Sequence, residues 1–438
     1  DAITTGDYNT TIGYAAGENV TTGVFNTLVG GQAGDAMTTG NTNTAMGYLA
    51  LSAETEGDRN VAIGVGALGV QNNSDTDVYN VAIGYSAGGA MTTGVQNTIM
   101  GGLAGVALTT GGKNVAIGHS ALSTEDAHGF NVAIGYQALT SLNAGADAYN
   151  TAVGYSAGAA VTTAIKNTLV GALAGDAITT GGNNTVLGYD ALGANTIGNS
   201  NVAIGKDAMK TNVAADKNVA VGLGALQSMT SATTADTYNI AVGYQAGAVV
   251  TTGNLNTIVG GLAGDALTEG NNNVAIGYLA LSAETLGDRN VAIGNSALGV
   301  QNNTSDVDSY NVAVGHTAGA AVTTGIRNVL VGSLAGKALQ TANYNVAIGY
   351  QTLSTDDGGN YNTAIGYKAL EDYEADADGD GHNTAIGSSS QLNATTGEFN
   401  TSLGSLSMGS GVTIGDYNTA LGAEAGKALT SGASNVFV

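Results

Sequence analysis

A short apolar motif, opened by asparagine and closed by glycine, recurs along the whole chain. It reads NVAIGYQAL at residues 131–139, NVAIGYLAL at 273–281 and NTAIGYKAL at 362–370. We count the asparagine as position 0. Position 1 is then Val, Ile or Thr, position 3 is Ile, Val, Leu or Met, and position 4 is Gly wherever the chain reaches it. A run rich in β-branched residues that ends in glycine is a poor helix, so each copy predicts a short β-strand.

The copies follow one another at a nearly constant interval. The asparagine occurs 25 times, 18 of the 24 intervals are 17 residues, and the other six are 18 to 21 residues. A 17-residue unit is too short for a pair of packed helices, but it suits one coil of a β-solenoid. We therefore predict an all-β fold, a parallel β-solenoid or β-roll of about 24 coils with a 17-residue repeat.

The fixed positions predict how the coils stack. We expect the asparagines to form a ladder in which each side-chain amide bonds the next, and the glycines to form a corner that needs φ > 0 or leaves no room for a Cβ. By two-residue alternation positions 1 and 3 share a strand face, and we expect position 3 to point into the core. Representative members of the predicted ladder and corner are Asn60, Asn114, Asn201, Asn290, Gly64, Gly118, Gly205 and Gly294.

A larger unit of four coils is superimposed on the repeat. Position 8 is mostly Gly in two successive coils and Leu in the next two. Position 11 is aliphatic in the Gly coils, as at Val20 and Met91, and usually polar in the Leu coils, as at Glu54 and Gln71. One bulky group per coil fits a close-packed, continuous core. Five longer intervals, which begin at residues 60, 131, 218, 290 and 362, each follow the last Leu coil of a group and predict loops at one corner.

No break in composition divides the chain. Residues 47–64 and 277–294 differ only at Glu56 and Leu286, which indicates growth by duplication. We predict one continuous solenoid rod over residues 1–438 without cap domains, with a length of about 115 Å at about 4.8 Å per coil. The chain begins and ends within a coil, which predicts either end-to-end stacking of subunits or a stretch of a longer fibre.

The composition of the chain limits which partners and activities we expect. The net charge is −23, from 34 acidic and 11 basic residues, which argues against nucleic acid and anionic membranes as partners. No apolar run approaches the roughly 18 residues of a membrane helix, so we expect no membrane insertion. Cysteine and proline are absent. Acidic residues fall mainly in corners and insertions, no Ser-His-Asp or paired-carboxylate arrangement is recognisable, and we expect no enzymatic activity.

The strongest candidate for a cofactor site is the segment DADGDG at residues 376–381. It matches the first half of a calcium-binding loop, but the twelfth position would be Gly387 instead of glutamate, so an EF-hand is not expected. The pattern leaves a looser Ca²⁺ site, with carboxylates from Asp376, Asp378 and Asp380. Weaker versions of the pattern are Asp75 with Asp77 and Asp306 with Asp308.

Tyrosines occupy two fixed places in the coil. Ten of the 19 are at position 5, such as Tyr14, and eight directly precede the asparagine, such as Tyr79. They predict either rings that stack at a corner or a lateral surface where chains associate or a glycan docks.

The N-[VT]-A-[IV]-G core, seen at residues 60–64 and 201–205, resembles the head repeats of trimeric autotransporter adhesins. Similar N-T-A-I-G-Y-x-A-L repeats occur in bacteriophage tail-fibre shafts. The resemblance covers nearly the whole chain. It implies a left-handed parallel β-roll in trimers that binds host surfaces, and a location outside the cell, on its surface or on a virion.

These patterns favour a structural role. Our leading hypothesis is a non-enzymatic subunit of an extracellular fibre or filament, which assembles with copies of itself. The alternative is the shaft or head of a trimeric adhesin or tail fibre that binds a cell-surface receptor or glycan. A less favoured hypothesis is ice binding, because the T-T-G sequence at positions 12–14 places threonines in a column in only some coils.

Overall fold

The computed structural model describes residues 6–74, 77–230, 235–375 and 381–438. The regular elements in this part of the chain are β-strands of three residues, apart from the last strand, which has two. Each strand begins directly after a repeated asparagine, and each three-residue strand ends directly before a repeated glycine. The predicted all-β, parallel solenoid with a 17-residue coil is confirmed.

The described residues divide into two compact units. The first comprises the residues up to Lys217 together with Ala235, and the second comprises the others from Asn218 on. The prediction of one continuous rod stays a prediction. The strands of the first unit are β1 (Thr10–Ile12), β2 (Thr27–Val29), β3 (Thr44–Met46), β4 (Val61–Ile63), β5 (Val81–Ile83), β6 (Thr98–Met100), β7 (Val115–Ile117), β8 (Val132–Ile134), β9 (Thr151–Val153), β10 (Thr168–Val170), β11 (Thr185–Leu187) and β12 (Val202–Ile204). Those of the second are β13 (Val219–Val221), β14 (Ile240–Val242), β15 (Thr257–Val259), β16 (Val274–Ile276), β17 (Val291–Ile293), β18 (Val312–Val314), β19 (Val329–Val331), β20 (Val346–Ile348), β21 (Thr363–Ile365), β22 (Thr384–Ile386), β23 (Thr401–Leu403), β24 (Thr419–Leu421) and β25 (Val436–Phe437).

Within each unit, strands that are neighbours along the chain pair in parallel and in register. In the first unit β7 pairs with β8, so that Val115 lies beside Val132. The register holds across the longer intervals, because Val61 of β4 pairs with Val81 of β5. The same is true in the second unit, where Val291 pairs with Val312. The extra residues therefore lie outside the strand ladder, as the sequence predicts for insertions.

The strand face that points inward is the opposite of the predicted one. In β2 to β24 the middle residue, at position 2, is buried, as at Ala62 and Ala116, which are fully buried. Position 3 is partly exposed, with values of 42% at Met46, 48% at Leu187 and 46% at Leu403. The prediction that position 3 points into the core is therefore wrong. The physical reason is space, since the aliphatic side chains of positions 8 and 11 already fill the narrow interior and leave room for little more than alanine beneath most strands.

Position 2 is large in the second coil of each pair that has glycine at position 8. A Cβ at Gly17 would lie 2.7 Å from one δ-methyl of Leu28, and a Cβ at Gly34 would lie 2.9 Å from the other. One strand residue thus fills the space beside two glycines. Position 2 therefore also helps to keep the volume of the core side chains nearly constant, together with positions 8 and 11. The arrangement recurs at Ile99, Leu169, Ile258 and Leu330.

Left-handed backbone conformations shape the corners, and most of them do not involve glycine. Positions 6, 8 and 16 have positive φ, as at Ser120 (φ 56°), Leu122 (φ 52°) and Phe130 (φ 63°). This conformation costs an ordinary residue about 1 kcal/mol. Hydrogen bonds between coils compensate, because the amide of Leu122 donates to the carbonyl of Ala138 at 3.0 Å and that of Ser120 to Gly102 at 3.1 Å. Contacts between coils therefore impose the corner geometry.

Candidate functional sites

The asparagine ladder bonds mainly to backbone. The amide N–H of Asn131 donates to Oδ1 of Asn114 at 2.9 Å, and Nδ2 of Asn114 donates to the carbonyl oxygen of His128 at 3.1 Å. Each asparagine in such a coil therefore connects the start of the next coil with the corner near position 14 of its own coil, which we call the return corner. The predicted amide-to-amide contact is present in some coils as a longer addition, as from Nδ2 of Asn131 to Oδ1 of Asn114 at 3.3 Å.

The other ladder members show what an insertion changes. In a 17-residue coil, Nδ2 of Asn201 donates to the carbonyl of Ala215, fourteen residues on, at 2.9 Å. An insertion displaces that carbonyl, and Nδ2 of Asn60 then donates to Oδ1 of Asn43 at 3.1 Å. Nδ2 of Asn290, also in an insertion coil, has no partner among the described residues. All four predicted asparagines are fully buried.

The repeated glycines meet both parts of the expectation. Gly64, Gly118, Gly205 and Gly294 have φ between 128° and 133°. A Cβ at Gly118 would lie 2.4 Å from the carbonyl oxygen of Gly135 in the next coil. The same distance applies from Gly64 to Gly84 and from Gly294 to Gly315. The corner thus combines a glycine conformation with a close backbone approach.

The calcium candidates are only partly within the described residues. Asp376, Asp378 and Asp380 lie outside them, and so does Asp75, so Ca²⁺ binding there stays a prediction. Asp77 forms an ion pair with Arg59. Asp308 pairs in the same way with Arg289 and accepts a hydrogen bond from the hydroxyl of Tyr310 at 3.3 Å. A cation would have to displace an arginine at both places.

Aromatic side chains at position 16 form a continuous stack in the second unit. Neighbouring ring centroids are 4.7 to 5.0 Å apart along Tyr344, Tyr361, His382, Phe399 and Tyr417. The rings cover one another's faces and present their edges to solvent. The stacked-ring prediction is confirmed for this column. The ring faces inside the column are covered, and at one end the guanidinium of Arg327 lies over the ring of Tyr344, 5.3 Å from its centroid. Glycan binding stays a prediction.

The hydroxyl groups of the threonine column at position 12 form hydrogen bonds with backbone carbonyls of the next coil. Oγ1 of Thr162 donates to the carbonyl of Thr179 at 3.1 Å, and Oγ1 of Thr179 donates to that of Thr196 at 3.0 Å. These donors brace successive return corners. The hydroxyl hydrogens at position 12 are therefore not free, and ice binding stays a prediction.

Buried carboxylates at position 11 escaped the sequence analysis. Each lies in the first Leu coil of its group, is fully buried, and accepts a hydrogen bond from a backbone N–H nineteen residues later, in the insertion. The distances to Asn73, Ala144, Asn303 and Ala375 are 3.2, 3.3, 3.1 and 3.5 Å. A buried charge needs such donors, so the carboxylates tie the insertions to the core. Position 11 is aliphatic in the coils that have Gly at position 8, which is the available signal that this column is internal. The four residues are Glu54, Glu125, Glu284 and Asp356.

Asp356 gives the fold a predicted pH dependence. Burial is the largest influence and raises the pKa of Asp356 from 3.8 to about 6, against the opposing effect of the N–H groups of Gly359 and Ala375. The folded chain holds this proton to a higher pH than the unfolded chain, so the free energy of unfolding falls as pH rises from about 4 to about 6. We expect Asp356→Asn to raise it by about 2 to 3 kcal/mol at pH 8 and to change it little at pH 4. Urea unfolding at both pH values measures this, with Asp357→Asn, on the exposed neighbouring residue, as the control. An equal gain at both pH values would refute it.

Asn195 occupies the same place in another group and gives a stability prediction. It is fully buried, and neither Oδ1 nor Nδ2 has a partner among the described residues. We expect Asn195→Val to raise the free energy of unfolding by about 1 to 3 kcal/mol, because it removes two unpaired polar atoms. Asn212→Val is the matched control and should lower it, since Asn212 hydrogen-bonds both backbone groups of Ala215, at 2.9 and 3.1 Å. Chemical denaturation measures the free energy of unfolding of both variants. An Asn195→Val chain that is less stable than the unchanged chain would contradict this account.

Comparison with known proteins adds no family assignment. Neither a model of a known protein family nor a curated protein sequence matches the chain. The described residues contain no helix that is long and apolar enough to cross a membrane.

Proposed function

We propose that the chain is a non-enzymatic structural subunit of an extracellular fibre or filament, built from parallel copies of the chain. One observation carries the proposal, namely the chemistry of the outward strand face. Positions 1 and 3 of every strand point outward, and throughout the chain they are only Val, Ile, Leu, Met or Thr. None of the 34 acidic residues falls there. Position 3 is apolar in every coil, whereas position 1 is threonine in 12 of the 25 copies. A face exposed to water in every coil would carry charged residues in some of them, so this uncharged face with its unbroken apolar row, the apolar strip, favours burial against a partner.

The strip in one unit is close in size to one side of a stable interface. A three-residue strand is about 10 Å long and strands are about 4.8 Å apart, so the twelve strands of the first unit present roughly 600 Å². Each partner in a stable complex contributes about 800 Å². The strip in one unit therefore approaches the area that lateral association requires.

The repeat favours a second copy of the same chain as the partner. Side chains on the strip recur once per coil, so a partner stays in contact along it only if its own side chains have the same spacing. A parallel copy satisfies this in every coil. The resemblance to adhesin and tail-fibre repeats supports the extracellular or virion location, and the net charge of −23 suits a soluble surface outside the strip.

The same strip also favours the second candidate, a trimeric shaft or head of an adhesin or tail fibre. Three parallel chains can turn their apolar strips toward a common axis and bury all of them. Such a protein forms discrete trimers and displays its insertions and exposed Tyr columns to a receptor or glycan. Filaments that lengthen with protein concentration would favour the first candidate. A constant mass equal to three chains would favour the second.

Two lysines on the strip test the proposal. We expect Ile117→Lys combined with Ile134→Lys to convert assemblies into monomers, because both residues lie on the outward face of adjacent strands and an interface does not accommodate two unpaired charges there. The control replaces His119 and Tyr136, at position 5 of the same two coils, by lysine and should leave assembly intact. Sedimentation velocity measures assembly, and circular dichroism checks that the coils remain folded. Assembly that survives the first pair of substitutions would exclude this face as the interface.

A further inference from the structure

The return corner of the coil that begins at Asn114 carries a histidine where the other coils have a small residue. Position 14 is Gly or Ala in all the other 17-residue coils, as at Gly57 and Gly111, and here it is His128. Nδ1 of His128 lies 3.2 Å from Oε1 of the buried Glu125. The side chain of His128 is 25% exposed, whereas that of Glu125 is fully buried. An imidazole therefore joins a buried carboxylate to the protein surface at this corner.

Glu125 also lacks donors that the equivalent glutamates have. Glu54 accepts hydrogen bonds from the amide of Gly57 at 2.8 Å and from Nε2 of Gln71 at 2.9 Å. Glu284 has the same pair of donors, Gly287 and Gln301, both at 2.8 Å.

In the coil after that of Glu125, the residue that corresponds to Gln71 is Leu142, whose side chain has no polar group. The contacts of Glu125 are the amide and Nδ1 of His128, both at 3.2 Å, and the amide of Ala144 at 3.3 Å. This buried charge is therefore less well compensated than its two counterparts.

A third potential ligand lies next to these two. The side chain of Asp126 is exposed, and one ligand atom from each of Glu125, Asp126 and His128 can be chosen so that all three lie within 4.8 Å of one another. Among the described residues this is the one such group of three histidine, cysteine, aspartate or glutamate side chains.

We propose that Glu125, Asp126 and His128 bind a divalent transition-metal ion of the Zn²⁺ class. One imidazole nitrogen and two carboxylate oxygens are a ligand set that Zn²⁺ accepts, and solvent can complete the coordination from the exposed side. The imidazole disfavours Ca²⁺, which takes oxygen ligands. The ion places positive charge beside Glu125, where Gln71 and Gln301 place the positive end of an amide dipole beside Glu54 and Glu284. This site is independent of lateral assembly.

The metal site predicts a stabilising effect. The amide of Ala144, in the following insertion, donates to the second oxygen of Glu125. A cation held by Glu125 fixes the return corner and this part of the insertion in one arrangement. The folded corner holds the three ligands in one arrangement, whereas the unfolded chain leaves these near neighbours in sequence free to rotate. Zn²⁺ therefore binds the folded chain more tightly and raises the melting temperature as its free concentration increases above the dissociation constant.

Titration of the untagged chain with Zn²⁺ tests the proposal. His128→Gly restores the residue type found at position 14 in most coils, so the coil should fold. His119→Gly is the matched control, because His119 lies in the same coil and its position 5 is also glycine elsewhere, as at Gly102. Calorimetry should show one saturable Zn²⁺ site in the unchanged chain and in His119→Gly, and at least a tenfold weaker affinity in His128→Gly. Zn²⁺ should raise the melting temperature of the first two proteins only.

A second variant separates the metal from the local structure. Glu125→Gln keeps the size of the side chain and removes its charge, so it should also weaken Zn²⁺ binding at least tenfold, and an excess of Ca²⁺ should not compete in the unchanged chain. Equal Zn²⁺ affinity in the unchanged chain and in His128→Gly would overturn the proposal. No saturable binding by the unchanged chain would overturn it as well.

Discussion

Replacement of Gly101 by alanine is expected to lower the free energy of unfolding by about 4 kcal/mol or more. Gly101 is at position 4 and has φ 133°, a conformation that residues with a Cβ rarely adopt. A Cβ there would lie 2.6 Å from the carbonyl carbon and oxygen of Gly118 in the next coil. Both atoms belong to the backbone of the ladder, so relief would require neighbouring coils to separate. Urea unfolding followed by circular dichroism measures the effect.

The adjacent glycine is the control. Gly102 has no positive φ, and the atom nearest to a Cβ there is Cδ2 of His119 at 3.6 Å, which is an ordinary contact. We expect Gly102→Ala to change the free energy of unfolding by less than about 0.5 kcal/mol. The second unit repeats the comparison with Gly260, where a Cβ would lie 2.5 Å from the carbonyl oxygen of Gly277, and its neighbour Gly261. Similar stability of the two variants in either pair would show that the close approach at position 4 does not hold the corner.

Replacement of Asn114 by alanine is the second large effect. The variant removes the acceptor for the amide of Asn131 and the donor to the carbonyl of His128, at 2.9 and 3.1 Å. The first bond is buried and the second is partly buried, so one backbone group loses its partner beyond the reach of water and the other loses it near the surface. We expect the free energy of unfolding to fall by about 2 to 4 kcal/mol. Urea unfolding compares it with Asn143→Ala, on an exposed asparagine of the insertion, which should change it by less than about 0.5 kcal/mol.

Asn114→Asp separates the acceptor role of Asn114 from its donor role. Aspartate keeps an oxygen for the amide of Asn131 but turns a carboxylate toward the carbonyl of His128. We expect it to be at least as destabilising as alanine at pH 7 and to recover part of the loss at low pH, where the carboxylate is protonated. If alanine at residue 114 were tolerated as well as alanine at residue 143, the buried asparagine column would not be a main source of stability.

The fold was predictable because local and long-range requirements coincide in each coil. A 17-residue interval, a strand rich in β-branched residues and an invariant glycine can be satisfied together only if identical positions stack. The inward face was not predictable from alternation alone. Alternation places positions 1 and 3 on one side and position 2 on the other, but it does not say which side is the interior. The larger side chains at position 3 favoured the wrong choice.

The remaining features depend on contacts between coils. Left-handed backbone at Ser120 and Phe130 has no signature in the residue types, because intercoil hydrogen bonds impose it, whereas at position 8, where Leu122 lies, the glycines of other coils were an available signal. The burial of Glu54 and Glu125 could not be read from single residues, since glutamate is normally exposed. Comparison along the column at position 11 would have found them. The metal candidate was missed for the same reason, because Glu125 was not recognised as an internal group next to His128.

The most direct test of the central claim is the mass of the purified, untagged chain in solution, measured by sedimentation together with electron microscopy. The proposed parallel association through the apolar strip predicts assemblies of several chains, either growing filaments or discrete trimers. These should separate into single chains when Ile117 and Ile134 are replaced by lysine. A folded chain that remains a monomer at high concentration would contradict the account, because its outward strand face would then be exposed to water in every coil without a partner.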